Sequence, residues 1–329
     1  MDDSNNVDLS ISIVSYNTKD LLKTCLNSVY ENSKGINLEV MVVDNNSEDG
    51  SAEMVEEEFA QVKLIRNREN VGFARANNQA IKESRGRYIL LLNSDTVVIS
   101  DALSKMINFM DNHPEAGAVG GKVFRPDFTA QPSTRACLDL RTLFISFFDL
   151  KKLVLPAYRG FVIKLLGPLL GKTVRSYVDC YLDEEGPKLV DEVPGVCFCV
   201  RREVVERVGL LDENFFMYYE DTDWSIRIKK GGWRLYILPE APIIHYVQQS
   251  VKKVFNRTFV ARCRGIYYYF KKHRDRRSIL LLKIVIISAL LLRIIVLSIY
   301  YPFTKSEKRD EMKGRVKAYS EIIKFSLDV

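Results

Sequence analysis

Residues 38–51 read LEVMVVDNNSEDGS. An aliphatic, β-branched run stops at Asp44 and gives way to a polar, glycine-containing turn, the pattern of a strand buried on both faces that leaves a sheet and starts a helix. The same alternation recurs outward in both directions. Upstream, LSISIVS (9–15) precedes TKDLLKTCLNSVYENS (18–33). Downstream, SAEMVEEEF, VKLIRN, GFARANNQAIKESRG, RYILLLN, DALSKMINFMDNH and AGAVGGKVF carry it to residue 124. This order predicts an α/β fold, a mostly parallel, doubly wound sheet with helices on both faces. Ligands of such sheets bind beyond the carboxyl ends of the strands. Ser15 to Thr18, Asn17 among them, Asp44 to Ser47 with Asn46, and Asn93 to Thr96 stand at those ends.

The chain has 329 residues, 47% apolar and 27% charged, enough for one large core or two modest ones. Wholesale disorder, a collagenous chain and a repeat architecture are excluded by that composition and by the lack of a 20- to 50-residue period. None of the 6 cysteines makes a C-x-x-C spacing, so they read as reduced thiols rather than a zinc or redox site. The start, MDDSNNVD, lacks the basic and apolar regions of a secretory signal, so the expected location of the body is the cytosol.

Periodic structure is weaker over 125–192, where KKLVLPAYRGFVIKLLGPLLGK reads either as a capping loop or substrate lid or as an amphipathic membrane-surface element. It returns at VPGVCFCVRREVVERVG and continues through EDTDWSIRIKKGG, WRLYILP and APIIHYV. The expected catalytic domain is therefore 1–250.

Net charge is +6, but 10 Lys or Arg against the single acid Asp275 fall within 251–277. Aromatics interleave them, a pattern also found in nucleic-acid binders. The next segment argues against a nucleic-acid partner: Ile279 to Phe303 is a 25-residue apolar run interrupted by Lys283, Arg293, two Ser and Pro302. A basic block beside such a run reads as membrane-proximal. The expectation is a juxtamembrane segment at 251–277, a membrane-associated segment at 278–303 and a basic cytosolic tail at 304–329. Positive residues on both flanks favour both ends on the cytoplasmic face, the run lying in the membrane plane or re-entering. The competing reading is a buried helix of the soluble domain.

Several acids carry candidate chemistry. Asp44 either caps the next helix or accepts a hydrogen bond from a base or ribose. Asp95, ending YILLLNSD, offers a hard oxygen to Mg²⁺ or Mn²⁺. Glu220, Asp221 and Asp223 crowd a helix start. There Asp223 is expected to pair with Arg227 at i,i+4, while Asp221, about 200° away round the helix, is left for the pocket. His245 follows a strand and is either a packing residue or a metal ligand beside a carboxylate. Gly72 and the helix starting near Phe73 offer backbone amides to phosphates, and Arg75 is either a phosphate ligand or a solvated helix residue.

Taken in order, ISIVSYNT, VVDNNSEDGS, NVGFARANNQAI, YILLLNSDT, PGVCFCVRREVVERVGLLDENFFMYYEDTDWSIR and GWRLYILPEAPIIHYVQQS resemble the family 2 nucleotide-sugar glycosyltransferases of GT-A fold, in particular their bacterial rhamnosyltransferase-like branch. The resemblance spans roughly residues 9–250. It implies an inverting transfer from a nucleotide-diphosphate sugar, dTDP-rhamnose for this branch, to a lipid-linked or polysaccharide acceptor, assisted by a divalent cation. By resemblance Asp44 binds the nucleoside and Asp221 of the Glu220–Asp221 pair is the base. Ser15, Asn17, Asn46, Gly72, Arg75, Asn93 and Ser94 join the donor site, and Asp95 and His245 are metal ligands. The family's Asp-x-Asp motif falls on Asn93, Ser94 and Asp95, so Asn replaces its first acid. A nucleotidyltransferase remains an alternative, although IVSYNTKDLL lacks the glycine-rich loop it needs. So does a noncatalytic, membrane-tethered binding module.

Overall fold

The computed structural model describes residues 7–131, 138–148, 186–246 and 255–329. Most of the expected lid, including the amphipathic 151–172 segment, lies outside them, as do Cys137 and Cys180. The described residues form two units. One comprises 7–131, 186–216 and 220–246, and the other 138–148, 217–219 and 255–329.

The first unit is built on nine strands: β1 (Leu9–Ser15), β2 (Leu38–Asp44), β3 (Lys63–Arg66), β4 (Tyr88–Asn93), β5 (Thr96–Val98), β6 (Ala116–Phe124), β7 (Lys188–Leu189), β8 (Cys197–Arg201) and β9 (Arg234–His245). Their order is β3-β2-β1-β4-β8-β6-β9-β5, with β7 paired to β9. The expectation of a mostly parallel sheet needs correction, because the sheet is mixed. Strands β3, β2, β1 and β4 are parallel, but β8 is antiparallel to both β4 and β6, and β9 runs antiparallel to β5 and β7. Strand periodicity reports burial and not direction, so the apolar CFCV stretch gave no sign of its reversal. Strand β9 also joins the two pieces WRLYILP and APIIHYV. Its register against β6 shifts between Leu238 and Pro242, a bulge that accommodates Pro239, which cannot donate to a ladder.

Helices α1 (Lys19–Glu31), α2 (Ser51–Glu58), α3 (Phe73–Glu83), α4 (Ala102–Asn112), α6 (Arg202–Val208) and α7 (Glu220–Lys230) cover both faces. The alternation of strand side chains divides the core. Ile11, Ile13, Val40, Val42, Leu90 and Leu92 pack with Leu22, Leu26, Leu103 and Met106 on one face. Ile89, Leu91, Phe198 and Val200 pack with Val204, Trp224 and Ile228 on the other. Trp224 is fully buried, stacks on Phe198 at 5.1 Å and donates its indole N–H to Gly209 O at 2.8 Å. The expected Asp223–Arg227 pair forms at 2.8 Å, and the guanidinium also donates to Val208 O and Leu210 O. Asp223 thereby fixes α7 and is fully buried.

The second unit is helical: α5 (Leu140–Phe147), α8 (Phe255–His273), α9 (Arg276–Tyr300) and α10 (Ser306–Asp328), with a 3-10 turn at Tyr301–Phe303. Helix α5 lies inside the segment expected to be irregular. Its start is capped by Asp139, whose carboxylate accepts from Thr142 N at 2.7 Å. Helices α8 and α10 run parallel, since Phe259 meets Tyr319, Arg264 meets Glu321 and Tyr267 meets Phe325. Helix α9 packs against α5, α8 and α10 and buries Leu282, Ile286, Ala289 and Leu290, while Leu280, Leu281, Ile284, Leu291, Leu292 and Ile295 are exposed. The stretch Arg276–Phe303 is long and apolar enough to cross a membrane, yet 22% of its most apolar window is buried within the protein. Arg293, which a bare span would strand among lipid tails, donates to Phe147 O of α5 at 2.7 Å.

Candidate active site

Strand direction decides which residues meet. The parallel strands β1, β2 and β4 end on one edge of the sheet, the reversed β8 starts there, and β6 and β9 end there. That edge therefore collects Ser15, Asp44, Asn93 to Asp95, Gly195 to Cys197 and His245.

At its first corner the loops after β1 and β2 are tied together. Asn17 Oδ1 accepts from Glu48 N at 2.8 Å, Ser47 Oγ accepts from Asn17 N at 2.9 Å, and Asp49 accepts from Lys19 N at 2.8 Å. Asn17 and Asn46 both adopt left-handed backbone, φ 55° and 66°, which asparagine tolerates better than most residues. Their side chains are exposed at the rim. Asp44 is 3% exposed. Its Oδ2 accepts from Ser47 N at 2.9 Å, so it does close the turn, but Oδ1 is buried and has no hydrogen-bond partner among the described residues. A buried carboxylate oxygen left without a donor suits an N–H or O–H brought by a ligand.

The second corner joins Asn93 to Asp95 with His245. Thr96 lies opposite His245 in the β5–β9 ladder, and this register sets His245 Nε2 3.1 Å from Asp95 Oδ1. Gln131 Oε1 lies 3.1 Å from the other imidazole nitrogen and orients the ring. Among the described residues no three His, Cys, Asp or Glu side chains gather as a metal cage. One carboxylate and one imidazole nevertheless fit a divalent cation that takes its remaining ligands from water and diphosphate. Buried hydroxyls brace this corner from below: Ser15 Oγ and Thr18 Oγ1 are 3.0 Å apart, and Thr18 donates to Ser94 Oγ at 3.0 Å. Beneath them Cys25 Sγ donates to Asn93 O at 3.6 Å. Burial pushes this thiol up to about 12, so it acts as an apolar support with no thiolate chemistry.

Asp221 sits half-buried in the first turn of α7. Its Oδ2 accepts from Gly195 N at 2.8 Å and its Oδ1 from Thr222 N at 2.8 Å. Val196 O in turn accepts from Asn93 N at 3.1 Å, so one short turn links the carboxylate to the end of β4. A side chain at Gly195 would stand 3.5 Å from that carboxylate. Glu220 is buried.

Phe73 N donates to Phe216 O at 2.7 Å, and a Cβ on Gly72 would lie 2.4 Å from the same oxygen, so this glycine serves a close backbone approach. Arg75 is exposed and faces Glu213 at 3.8 Å. Thr18 and the buried Asn45, whose amide bonds Gly72 O and whose Oδ1 accepts from Asn67, lie in the strand-end stretches the sequence marks out but had no individual role there. Sequence reasoning missed Gln131 and Gly195, and the PGV turn before CFCV is the one signal it held for Gly195.

A mixed sheet with flanking helices and acids gathered at this edge is a GT-A-like glycosyltransferase fold. Residues 10–158 match the family model described as Glycosyl transferase family 2. Among curated relatives it is 26% identical over 225 residues to the N-acetylglucosaminyl-diphospho-decaprenol L-rhamnosyltransferase of Mycobacterium tuberculosis, covering 64% of this chain and 67% of the relative. It is 24% identical over 257 residues to rhamnosyltransferase WbbL of Escherichia coli, covering 76% and 87%. It spans 17% of the longer O-antigen biosynthesis protein RfbC of Myxococcus xanthus at 23% identity. In fold it is similar to the mannosyltransferase PcManGT of Pyrobaculum calidifontis, solved with GDP-Man and Mn²⁺, with TM-score 0.56, 15% identity and coverage of 97% of this chain and 88% of that one. A structure of GalNAc-T7 with UDP, GalNAc and Mn²⁺ gives TM-score 0.54 at 17% identity, covering 74% and 44%.

Proposed function

We propose that this family 2 enzyme transfers a sugar, rhamnose from dTDP-rhamnose, with inversion onto a hydroxyl of a lipid-linked or polysaccharide acceptor at the cytoplasmic face of a membrane. The observation that carries the chemistry is the Asp221 carboxylate, oriented by Gly195 N and Thr222 N and tied through Val196 to the end of β4. Oδ1 also accepts from Thr222 Oγ1 at 3.4 Å, and Oδ2, with Gly195 N as its donor, keeps a lone pair for a proton. Asp221 accepts the proton of the acceptor hydroxyl as that oxygen bonds to the anomeric carbon. The bond from that carbon to the diphosphate oxygen breaks, its electron pair leaving with the nucleoside diphosphate. Asp44 Oδ1 receives a donor group of the base or ribose. Asn17 and Asn46 line the rim of the donor site, and the hydroxyls of Ser15 and Ser94 keep its floor in register. A divalent cation held by Asp95 and His245 would supply positive charge for the departing diphosphate.

The names of the Mycobacterium tuberculosis and Escherichia coli relatives support rhamnose. Membrane association is supported by the exposed apolar face of α9. In-plane attachment is favoured over a crossing because the charged helix α10 packs along α9 and would be drawn into the hydrocarbon with it. Arg276 and Arg277 before α9, and Lys305 and Lys308 after it, then meet anionic headgroups. The test is release of nucleoside diphosphate from a panel of nucleotide sugars with a lipid-linked acceptor, with Mn²⁺ present or chelated. Turnover with dTDP-rhamnose above the other donors is expected, and turnover with another donor alone would replace the rhamnose assignment.

A further inference from the structure

Strand β6 runs out at the sheet edge where Asp95 and His245 meet, and the chain turns back there in a tight hairpin. Phe128 N donates to Arg125 O at 2.8 Å, Arg125 N donates to Thr129 O at 2.9 Å, and Ala130 returns opposite Phe124. This is the pattern of a turn through Pro126 and Asp127 closed by one residue in left-handed backbone, a place that glycine takes by default. Here it is Phe128, with φ 59°. A bulky residue in that conformation is strained, and burial does not offset the strain, since Phe128 is 66% exposed. The turn is nevertheless braced. Asp127 Oδ1 accepts from Thr129 N at 3.0 Å and from Thr129 Oγ1 at 2.6 Å, and the Arg125 guanidinium donates to Thr129 Oγ1 and Ala130 O, both at 3.3 Å.

The returning arm ties this tip to the site. Gln131 N donates to Val123 O at 2.9 Å, and Gln131 Oε1 lies 3.1 Å from His245 Nδ1. Sheet order decides which part of a substrate comes near it. The nucleoside corner stands over β1 and β2 and Asp95 follows β4, whereas β6 lies beyond β8, about 19 Å from β2 at the usual strand spacing. A nucleotide sugar laid along the edge from Asp44 to the Asp95–His245 pair puts its sugar, and the hydroxyl that attacks it, toward β6.

We infer that Phe128 is an acceptor-binding residue whose exposed ring stacks on the C–H face of a sugar in the acceptor. The negative face of an aromatic ring attracts such polarised C–H groups, while the hydroxyls at the sugar's edge stay in water. The inference rests on the reading of the chain as a transferase. It narrows the acceptor to one whose reacting hydroxyl is borne on a sugar ring rather than on a lipid.

Phe128→Gly relieves the backbone while removing the ring, so stability and function should part. The melting temperature should hold or rise, whereas KM for an acceptor glycoside should rise about three- to tenfold, with the loss in KM rather than kcat and the Kd for nucleoside diphosphate unchanged. Octyl glucoside, octyl galactoside and octyl N-acetylglucosaminide, dissolved without lipid, serve as acceptors. Phe128→Trp keeps a ring at the tip and reports the contact without turnover. With Mn²⁺ and nucleoside diphosphate present, its emission should shift on titration with at least one of the three, against wild type as the blank. An unshifted emission together with an unchanged KM in Phe128→Gly, while wild type transfers, overturns the inference and leaves the transferase reading standing. A shifted emission without transfer to any glycoside overturns that reading and keeps the sugar contact, and neither transfer nor shift removes both. If Phe128→Gly loses sedimentation with phosphatidylserine vesicles but keeps its KM for the dissolved glycosides, the ring meets lipid and the inference is overturned.

Discussion

His245 Nε2 stands 3.1 Å from Asp95 Oδ1, joined by a short antiparallel ladder between the strand after β4 and the last strand of the sheet. Neither residue is a metal site alone. Together, with Gln131 on the other imidazole nitrogen, they make the oxygen and nitrogen pair proposed to hold the cation.

Removing either member should therefore abolish the metal's contribution to donor binding. Asp95→Ala and His245→Ala are expected to reduce Mn²⁺-dependent binding of nucleoside diphosphate to the level seen with chelator. Gln131→Ala, which disturbs only ring orientation, should weaken it about 10- to 100-fold. Calorimetric titration with and without Mn²⁺ reads all three. Diphosphate binding indifferent to chelator would shift charge neutralisation to basic side chains.

Asp44 offers an unpartnered buried oxygen, so its role is separable from its turn. Asp44→Asn replaces an acceptor by a donor in nearly the same volume. A lost hydrogen bond to a carboxylate is worth about 1.5–3 kcal/mol, so nucleoside diphosphate affinity should fall about 10- to 100-fold. Inorganic pyrophosphate, which carries no nucleoside, should bind as before. Equal losses for both ligands would deny the nucleoside contact.

Asp49 holds the loop that carries Asn17. Burial works to raise its pKa, but hydrogen bonds from Ser51 and Lys19 N outweigh it, so the carboxyl titrates below its ordinary value. Its contribution is full above the unfolded-state value near 3.8 and is lost as pH falls through the lower native value. Asp49→Ala should cost about 1 kcal/mol at pH 7 and nothing once the pH lies below both values. Chemical denaturation across that range checks the sign, and a constant difference would refute it.

Much of this was readable from the chain, and the failures share a cause. Strands β2 and β4 are legible because apolar side chains on both faces leave a nearly unbroken run, β1 and β3 because shorter apolar stretches recur between helical patterns, and the strand-end acids follow from where those runs stop. The Asp223–Arg227 pair was visible because helix spacing is local. The reversal of β8, the β5–β9 ladder that joins Asp95 to His245, and the roles of Thr18, Gln131 and Gly195 depend on which distant segments become neighbours. Spacing within one strand carries no record of that. Gly72 illustrates this: a glycine before a helix offers its backbone to a phosphate, and the 2.4 Å approach of Phe216 O is a separate reason for its missing side chain that spacing does not carry.

The exposed face of α9 predicts binding to anionic vesicles. Replacing Leu281, Leu292 and Ile295 by Ser removes three side chains worth about 1.5–3 kcal/mol each when buried. Sedimentation with phosphatidylserine vesicles should be lost while diphosphate affinity is kept. For in-plane attachment, Ser320→Cys in intact cells should be closed to an impermeant thiol reagent added outside. Labelling from outside would establish a single crossing.

The central claim is that Asp221 takes the acceptor proton, and the most direct measurement is the transfer rate of purified Asp221→Asn beside its affinity for nucleoside diphosphate. The amide keeps the shape of the side chain but is too weak a base to take the proton, and loss of a positioned base costs about 10² to 10⁴ in rate. The expected result is transfer reduced by that factor with affinity within twofold of wild type. Turnover at the wild-type rate would contradict it, and full loss in Glu220→Gln with none in Asp221→Asn would move the base one residue back.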